Sequence, residues 1–274
     1  MDTQSFLNVH GQTAVITGGS GELGRGMASG LAQAGVRVAI VGLRDETVSR
    51  AAQSISAEGG EAIGIAADVN DRVALERVLE QVHSAFGPVD ILLNAAGGNK
   101  PAATTSAERS FFDLDAQAIE NVFNLNFAGT LLACQVFGRD MATRGQGCII
   151  NITSMNAVRP LTRIPAYSAA KAAVANFTQW LAVHMAQEFS PRIRVNAIAP
   201  GFFLTEQNRY LLLDAQSGQP TARGESILKH TPMGRLGTPE DLISTLLWLV
   251  SPASAFVTGV MVPVDGGFSA FSGV

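Results

Sequence analysis

The sequence predicts an α/β fold: a single doubly wound parallel sheet of seven strands with helices on both faces. Three observations lead there. Short β-branched runs alternate with longer Ala-rich amphipathic runs along the 274 residues, the order expected of strand–helix–strand crossovers. The strand runs carry little polar alternation, as in Ala14-Val15-Ile16, Val38-Ala39-Ile40-Val41 and Ile149-Ile150, which is the pattern of strands buried on both faces. The first run ends in a glycine-rich turn that opens directly into a helical run, and such a turn belongs at the carboxyl edge of an open parallel sheet.

In chain order, residues 13–17 form the first strand run and 22–34 the first amphipathic one. Strands follow at 37–42, 61–66, 90–94, 148–153, 192–199 and 260–264, and helices at 46–58, 71–86, 115–143, 166–189 and 239–250. No internal repeat, low-complexity tract or linker divides the chain, so residues 1–274 read as one Rossmann-like domain. One long stretch, 201–238, fits neither period and scatters Gly218, Pro220, Gly224 and Gly234 through its length. A gap of that size in a compact domain marks a substrate loop or lid.

At 47% hydrophobic and 15% charged, the chain has enough apolar material for a large core. Its 19 basic and 23 acidic residues give a net charge of −4, the wrong sign for a nucleic-acid partner. No apolar run is long enough to span a membrane, and residues 1–11 lack the basic start and apolar centre of a signal peptide, so a cytoplasmic protein is expected. Cys134 and Cys148 read as core residues rather than a disulfide or thiolate site. His10, His83, His184 and His230 form no ligand-spaced cluster, and no metal is expected.

The glycine-rich turn reads Thr17-Gly18-Gly19-Ser20-Gly21-Glu22-Leu23-Gly24. Glycines there let a pyrophosphate approach backbone N–H groups at a helix N-terminus. Tyr167 and Lys171 are four apart in a breaker-free segment, so both stand on one helix face. With only two tyrosines in the chain, and Lys100, Lys171 and Lys229 its only lysines, the pairing stands out. An ammonium beside a phenol favours phenolate, so the Tyr167 pKa is expected to fall. Ser154 follows the strand at 148–153 and puts a hydroxyl at the carboxyl edge of the sheet.

These motifs, taken together from Thr13 to Gly267, resemble the classical short-chain dehydrogenases/reductases. The resemblance rests on the turn, Asp68-Val69, Asn94-Ala95-Ala96-Gly97, Asn126-Phe127-Ala128-Gly129, Ser154 ahead of Tyr167 and Lys171, Pro200-Gly201 with Thr205, and Asp265-Gly266-Gly267. It implies that Tyr167 is the proton donor or acceptor and that Lys171 lowers its pKa and holds the nicotinamide ribose. It further implies that Ser154 polarises the carbonyl and Asn126 supports a proton relay. NAD(H) or NADP(H) would lie on Gly18, Ser20, Gly21, Leu23, Gly24, Arg44, Asp68, Val69, Asn94, Ala95, Ala96, Gly97, Tyr167, Lys171, Pro200, Gly201 and Thr205. A homotetramer is implied as well.

One position departs from the family turn: Glu22 stands where the pattern has its middle glycine. A carboxylate near a pyrophosphate repels it, so weakened cofactor binding or a local rearrangement is expected. The cofactor choice is balanced. Gly42 occupies the place of the acidic residue that would hold a 2′-hydroxyl, and Arg44 lies one position beyond the usual 2′-phosphate partner.

The loops after Ser154 and after the fourth strand carry Asn156, Arg159, Arg163, Asn99 and Lys100. Cations with amide hydrogen-bonders suit a polyhydroxylated anion, so a sugar-acid substrate is expected. Asn124-Leu125-Asn126-Phe127, Ser154-Met155-Asn156-Ala157, Ala199-Pro200-Gly201-Phe202-Phe203 and the ending at 266–274 are similar to the short-chain mannonate oxidoreductases, or fructuronate reductases. That likeness implies interconversion of D-fructuronate and D-mannonate. Neutral keto-sugars and 5-ketogluconate are the rival substrates, and a nucleotide-sensing protein without turnover is the rival of another class. The sensing reading would need Tyr167, Lys171 or Ser154 to be missing, and all three are present.

Overall fold

A computed structural model of the chain describes residues 6–206 and 208–273. Strand β1 (Thr13–Thr17) is wholly buried and leads through the glycine turn into helix α1 (Glu22–Gln33). Then come β2 (Arg37–Gly42), α2 (Asp45–Ala57), β3 (Ala62–Ala66), α3 (Arg72–Phe86) and β4 (Ile91–Asn94). Helix α3 begins where the Asp71 carboxylate accepts the Ala74 N–H at 3.1 Å, and it stops at Gly87, whose φ of 85° suits glycine.

The single helix expected at 115–143 is instead interrupted. Helix α4 (Ala116–Phe123), capped by Asp115, passes into one π turn (Asn124–Ala128) before α5 (Gly129–Arg144) resumes. Apolar periodicity reads straight through such a turn, because it adds one residue without breaking the helix. After β5 (Gly147–Ile152), α6 (Pro165–Glu188) and β6 (Ile193–Pro200), the stretch expected to be unpatterned contains α7 (Arg209–Leu212) and α8 (Ala222–Lys229). Thr221 caps α8 by accepting the Gly224 N–H at 3.1 Å. Helix α9 (Glu240–Val250) and strand β7 (Met261–Val264) complete the order.

All seven strands pair in parallel, in the order β3-β2-β1-β4-β5-β6-β7. Two cores lie on opposite faces, as the missing polar alternation requires. Ala14, Ile16, Ile40, Leu93 and Ile150 face Met27, Leu31, Val48 and Leu246 on one side. Val15, Ala39, Leu92 and Ile149 face Val78, Phe137, Met141 and Leu181 on the other. Each fully buried Val, Leu, Ile, Phe or Met among them contributes roughly 1.5–3 kcal/mol of burial. Because β1 pairs with both β2 and β4, the strand order reverses there, and a crevice opens beyond the carboxyl ends of these strands.

Candidate active site

The glycine turn sits at that reversal. Gly18 has φ +67°, and a Cβ on it would stand 2.6 Å from the backbone of Ala96; one on Gly24 would stand 2.3 Å from the Gly18 carbonyl oxygen. The turn therefore needs both glycines to close against the end of β4. Gly21 begins α1 with no side-chain cap, so the first-turn N–H groups point out of the helix end without an intrahelical partner. That donor set, with the helix dipole behind it, suits a pyrophosphate.

The other residues expected at the cofactor fall along the same carboxyl edge. Arg44, exposed, precedes α2, and Asp68 and Val69 follow β3. Asn94 is buried at the end of β4 and donates to Asn151 Oδ1 at 2.9 Å, with Ala95, Ala96 and Gly97 after it. Pro200 ends β6, with Gly201 and Thr205 just beyond. At Gly42 a Cβ would stand 2.8 Å from Ser20 Oγ, so a side chain there would have to turn the Ser20 hydroxyl aside. Glu22 does not stand free. Its Oε2 accepts the backbone N–H of Glu206 at 2.7 Å, a partner 184 residues away that sequence spacing gave no means of finding.

The residues expected at the reaction centre come from three elements. Ser154 caps the short turn after β5, its Oγ accepting the Asn156 N–H at 3.2 Å. Tyr167 and Lys171 stand on α6, with the Lys171 Nζ 5.6 Å from the Tyr167 ring centroid. Lys171 is 4% exposed and donates to the Ile152 carbonyl oxygen at 2.9 Å. Asn126 lies in the π turn, donates to the Gly98 and Val122 carbonyl oxygens at 2.7 and 2.8 Å, and accepts the Gly98 N–H at 3.2 Å. A Cβ on Gly97 would come within 2.6 Å of Asn126 Oδ1 and 3.1 Å of Lys171 Nζ. Asn126, Lys171 and the loop after β4 thus meet at one point.

The electrostatics differ from the sequence expectation. Burial pushes the Tyr167 hydroxyl above its ordinary pKa, and the hydroxyl of Ser154 beside it pulls the other way. Burial lowers Lys171 to about 8. Both charged forms lose hydration on the same buried helix face, and in the protein alone that penalty outweighs the attraction the pairing would supply.

A cleft of about 630 Å³ is lined by Asn156, Arg163, Ser168, Thr105 and Phe111 among others, but not by Ser154, Tyr167, Lys171 or Asn126; it adjoins them only through their chain neighbours Asn156 and Ser168. Asn156 and Ser168 are 5% and 6% exposed, and Asn156 Oδ1 and Ser168 Oγ have no hydrogen-bond partner among the described residues. Arg163 holds φ 75°, the one positive value outside glycine among the described residues. The cleft thus gathers two of the five residues expected at the substrate. Asn99, Lys100 and Arg159 are exposed, as Arg163 is, but lie outside its lining, with Asn99 Nδ2 donating to Thr104 Oγ1 at 2.8 Å. Ser168, one residue beyond Tyr167, was not legible as a lining residue, because a serine in an Ala-rich helix carries no pattern of its own. No helix among the described residues is long and apolar enough to cross a membrane.

A family model described as enoyl-(acyl carrier protein) reductase matches residues 20–269. The uncharacterized oxidoreductase UxuB of Bacillus subtilis (strain 168) is 51% identical over 276 residues, covering 97% of this chain and 98% of that one. The 2-dehydro-3-deoxy-D-gluconate 5-dehydrogenase of Dickeya dadantii (strain 3937) is 36% identical over 266 residues, covering 96% and 98%. A crystal structure of a provisionally assigned D-mannonate oxidoreductase from Haemophilus influenza, with bound NAD, superposes with a TM-score of 0.91 at 47% identity, covering 97% of this chain and 98% of that chain. The chain belongs to the short-chain dehydrogenase/reductase family and is a nicotinamide-dependent oxidoreductase acting on CH–OH groups.

Proposed function

We propose that this enzyme interconverts the ketone and alcohol of a sugar acid, with D-fructuronate and D-mannonate as the best pair. The observation that carries the reading is a pair of buried polar atoms without partners among the described residues, Asn156 Oδ1 two residues past Ser154 and Ser168 Oγ one past Tyr167, with Arg163 on the lining of the same cleft. A buried polar atom without a partner costs free energy, and a ligand bearing hydroxyls relieves it. A carboxylate entering the same cleft needs a cation to offset its desolvation. The similar D-mannonate oxidoreductase structure from Haemophilus influenza and the 2-dehydro-3-deoxy-D-gluconate 5-dehydrogenase of Dickeya dadantii support a sugar-acid substrate.

The bound nicotinamide supplies a hydride to the carbonyl carbon in reduction and accepts it back in oxidation. This chain's residues handle the oxygen and its proton. Ser154 Oγ donates a hydrogen bond to the carbonyl oxygen, and Tyr167 Oη gives that oxygen its proton as the alcohol forms. Lys171 stabilises the resulting phenolate when its ammonium is charged. Asn126 holds the Gly98 backbone beside Lys171 and supports the path by which Tyr167 regains a proton. The cofactor choice stays open to both NAD(H) and NADP(H), because Gly42 offers no carboxylate to reject a 2′-phosphate and Arg44 stands exposed nearby.

A homotetramer completes the proposal. Trp180, Val183 and Phe189 on and just beyond α6 are 58%, 56% and 52% exposed, and Phe177, Trp180 and His184 stack in sequence, with Phe189 edge-on to His184. An aromatic face of this kind suits a second copy. The deciding experiment follows D-fructuronate, 5-ketogluconate and a neutral keto-sugar by reduced-nicotinamide absorbance with each cofactor. Preference for the neutral sugar would reject the acid reading, and preference for 5-ketogluconate would favour the gluconate-type alternative.

A further inference from the structure

Glu22 has no part in the reaction as described, yet it occupies a position where the family pattern calls for glycine. On a helix, residues four apart share a face, and Glu22, Gly26 and Gly30 are so spaced along α1. That face meets both ends of the 201–238 segment. At the near end, Glu22 Oε2 accepts the Glu206 N–H at 2.7 Å, next to Thr205. At the far end, a Cβ on Gly26 would stand 2.4 Å from Pro239 Cβ, and one on Gly30 would stand 2.8 Å from Ile243 of α9. The absence of side chains at Gly26 and Gly30 lets α1 lie directly against the exit of the segment, and Glu22 holds its entrance.

We propose that Glu22 is a positioning residue that couples cofactor binding to closure of the 201–238 lid. Its backbone belongs to the first turn of α1, the donor end that fits a pyrophosphate, while its carboxylate anchors the lid at Glu206. One residue therefore serves the cofactor with its main chain and the lid with its side chain. The carboxylate keeps its charge but is held by the Glu206 N–H, and a hydrogen bond to a charged acceptor is among the stronger kinds.

Two variants separate coupling from repulsion. Glu22→Gly restores the family residue and deletes the anchor, while Glu22→Gln removes the charge but keeps an acceptor oxygen. Dissociation constants of NADH and NADPH are measured by fluorescence titration, and amide hydrogen exchange of residues 203–213 is followed in the cofactor-bound protein. Coupling predicts that Glu22→Gly weakens binding about three- to tenfold, the fold-change of one net hydrogen bond, and loses exchange protection in 203–213. Glu22→Gln should stay within about twofold of the parent, retaining most of that bond. Unchanged or tighter binding in Glu22→Gly overturns the proposal, as does equal behaviour of the two variants. Neither readout depends on which substrate the enzyme takes.

Discussion

Lys171 donates its ammonium to the Ile152 carbonyl oxygen at 2.9 Å, fastening the helix that carries Tyr167 to the strand that leads into Ser154. The proposed reaction centre is thereby braced from within the sheet. The cost is a buried cation with no carboxylate among its hydrogen-bond partners, and its pKa falls from 10.5 to about 8.

That shift makes stability depend on pH. Between about 8 and 10.5 the unfolded chain holds the Lys171 proton while the folded protein has released it. The unfolded state then binds more protons, so this residue's contribution to stability rises with pH across the window. Urea unfolding at pH 7.5 and 9.5 should show the parent gaining on Lys171→Met by on the order of 2 kcal/mol, since one pKa unit corresponds to about 1.4 kcal/mol. A stability difference that stays constant between the two pH values would refute the assignment.

Tyr167→Phe removes one hydroxyl and leaves the ring packed against α4. Turnover should fall about 10²–10⁴-fold, the usual contribution of a positioned general acid, with unfolding midpoint and cofactor affinity nearly unchanged. A loss smaller than about tenfold would mean that another group moves the proton.

Among the cations of the substrate loops, Arg163 lines the cleft while Lys100 and Arg159 do not. Arg163→Ala should therefore lower kcat/KM for a sugar acid by up to about fivefold, the scale of an ion pair made by an exposed side chain. A neutral keto-sugar should lose little, and Lys100→Ala and Arg159→Ala should do less to the acid. Equal losses for acid and neutral substrates would move the neutral keto-sugar reading ahead.

Arg44 lies exposed just past the end of β2, where the adenosine ribose of the cofactor is expected. Arg44→Ala should raise KM for NADPH more than for NADH, because only the former carries a phosphate for the guanidinium to meet. Equal shifts would remove Arg44 from cofactor choice.

The aromatic face of α6 yields a hydrodynamic test. The parent should sediment well above its 28.7 kDa monomer mass, and Trp180→Glu should shift it toward smaller species by placing a charge in an apolar interface. A parent that sediments as a monomer at micromolar concentration would exclude the tetramer.

Much of this molecule is written in local pattern. The glycine turn, the four-residue spacing of Tyr167 and Lys171, and the unbroken apolar strands such as Val38-Ala39-Ile40-Val41 determine by themselves a parallel sheet, a dinucleotide edge and a phenol beside an ammonium, because turn conformation, helical periodicity and strand burial are short-range properties. Tertiary structure alone decided the rest. It placed the π turn at Asn126, drew Asn156, Ser168 and Arg163 to one cleft while leaving Asn99, Lys100 and Arg159 outside it, and turned Glu22 toward Glu206. It also raised the Tyr167 pKa where the pairing suggested a fall. Each of these outcomes depends on burial and on contacts between residues far apart in the chain, and neither quantity has a period that a sequence can display.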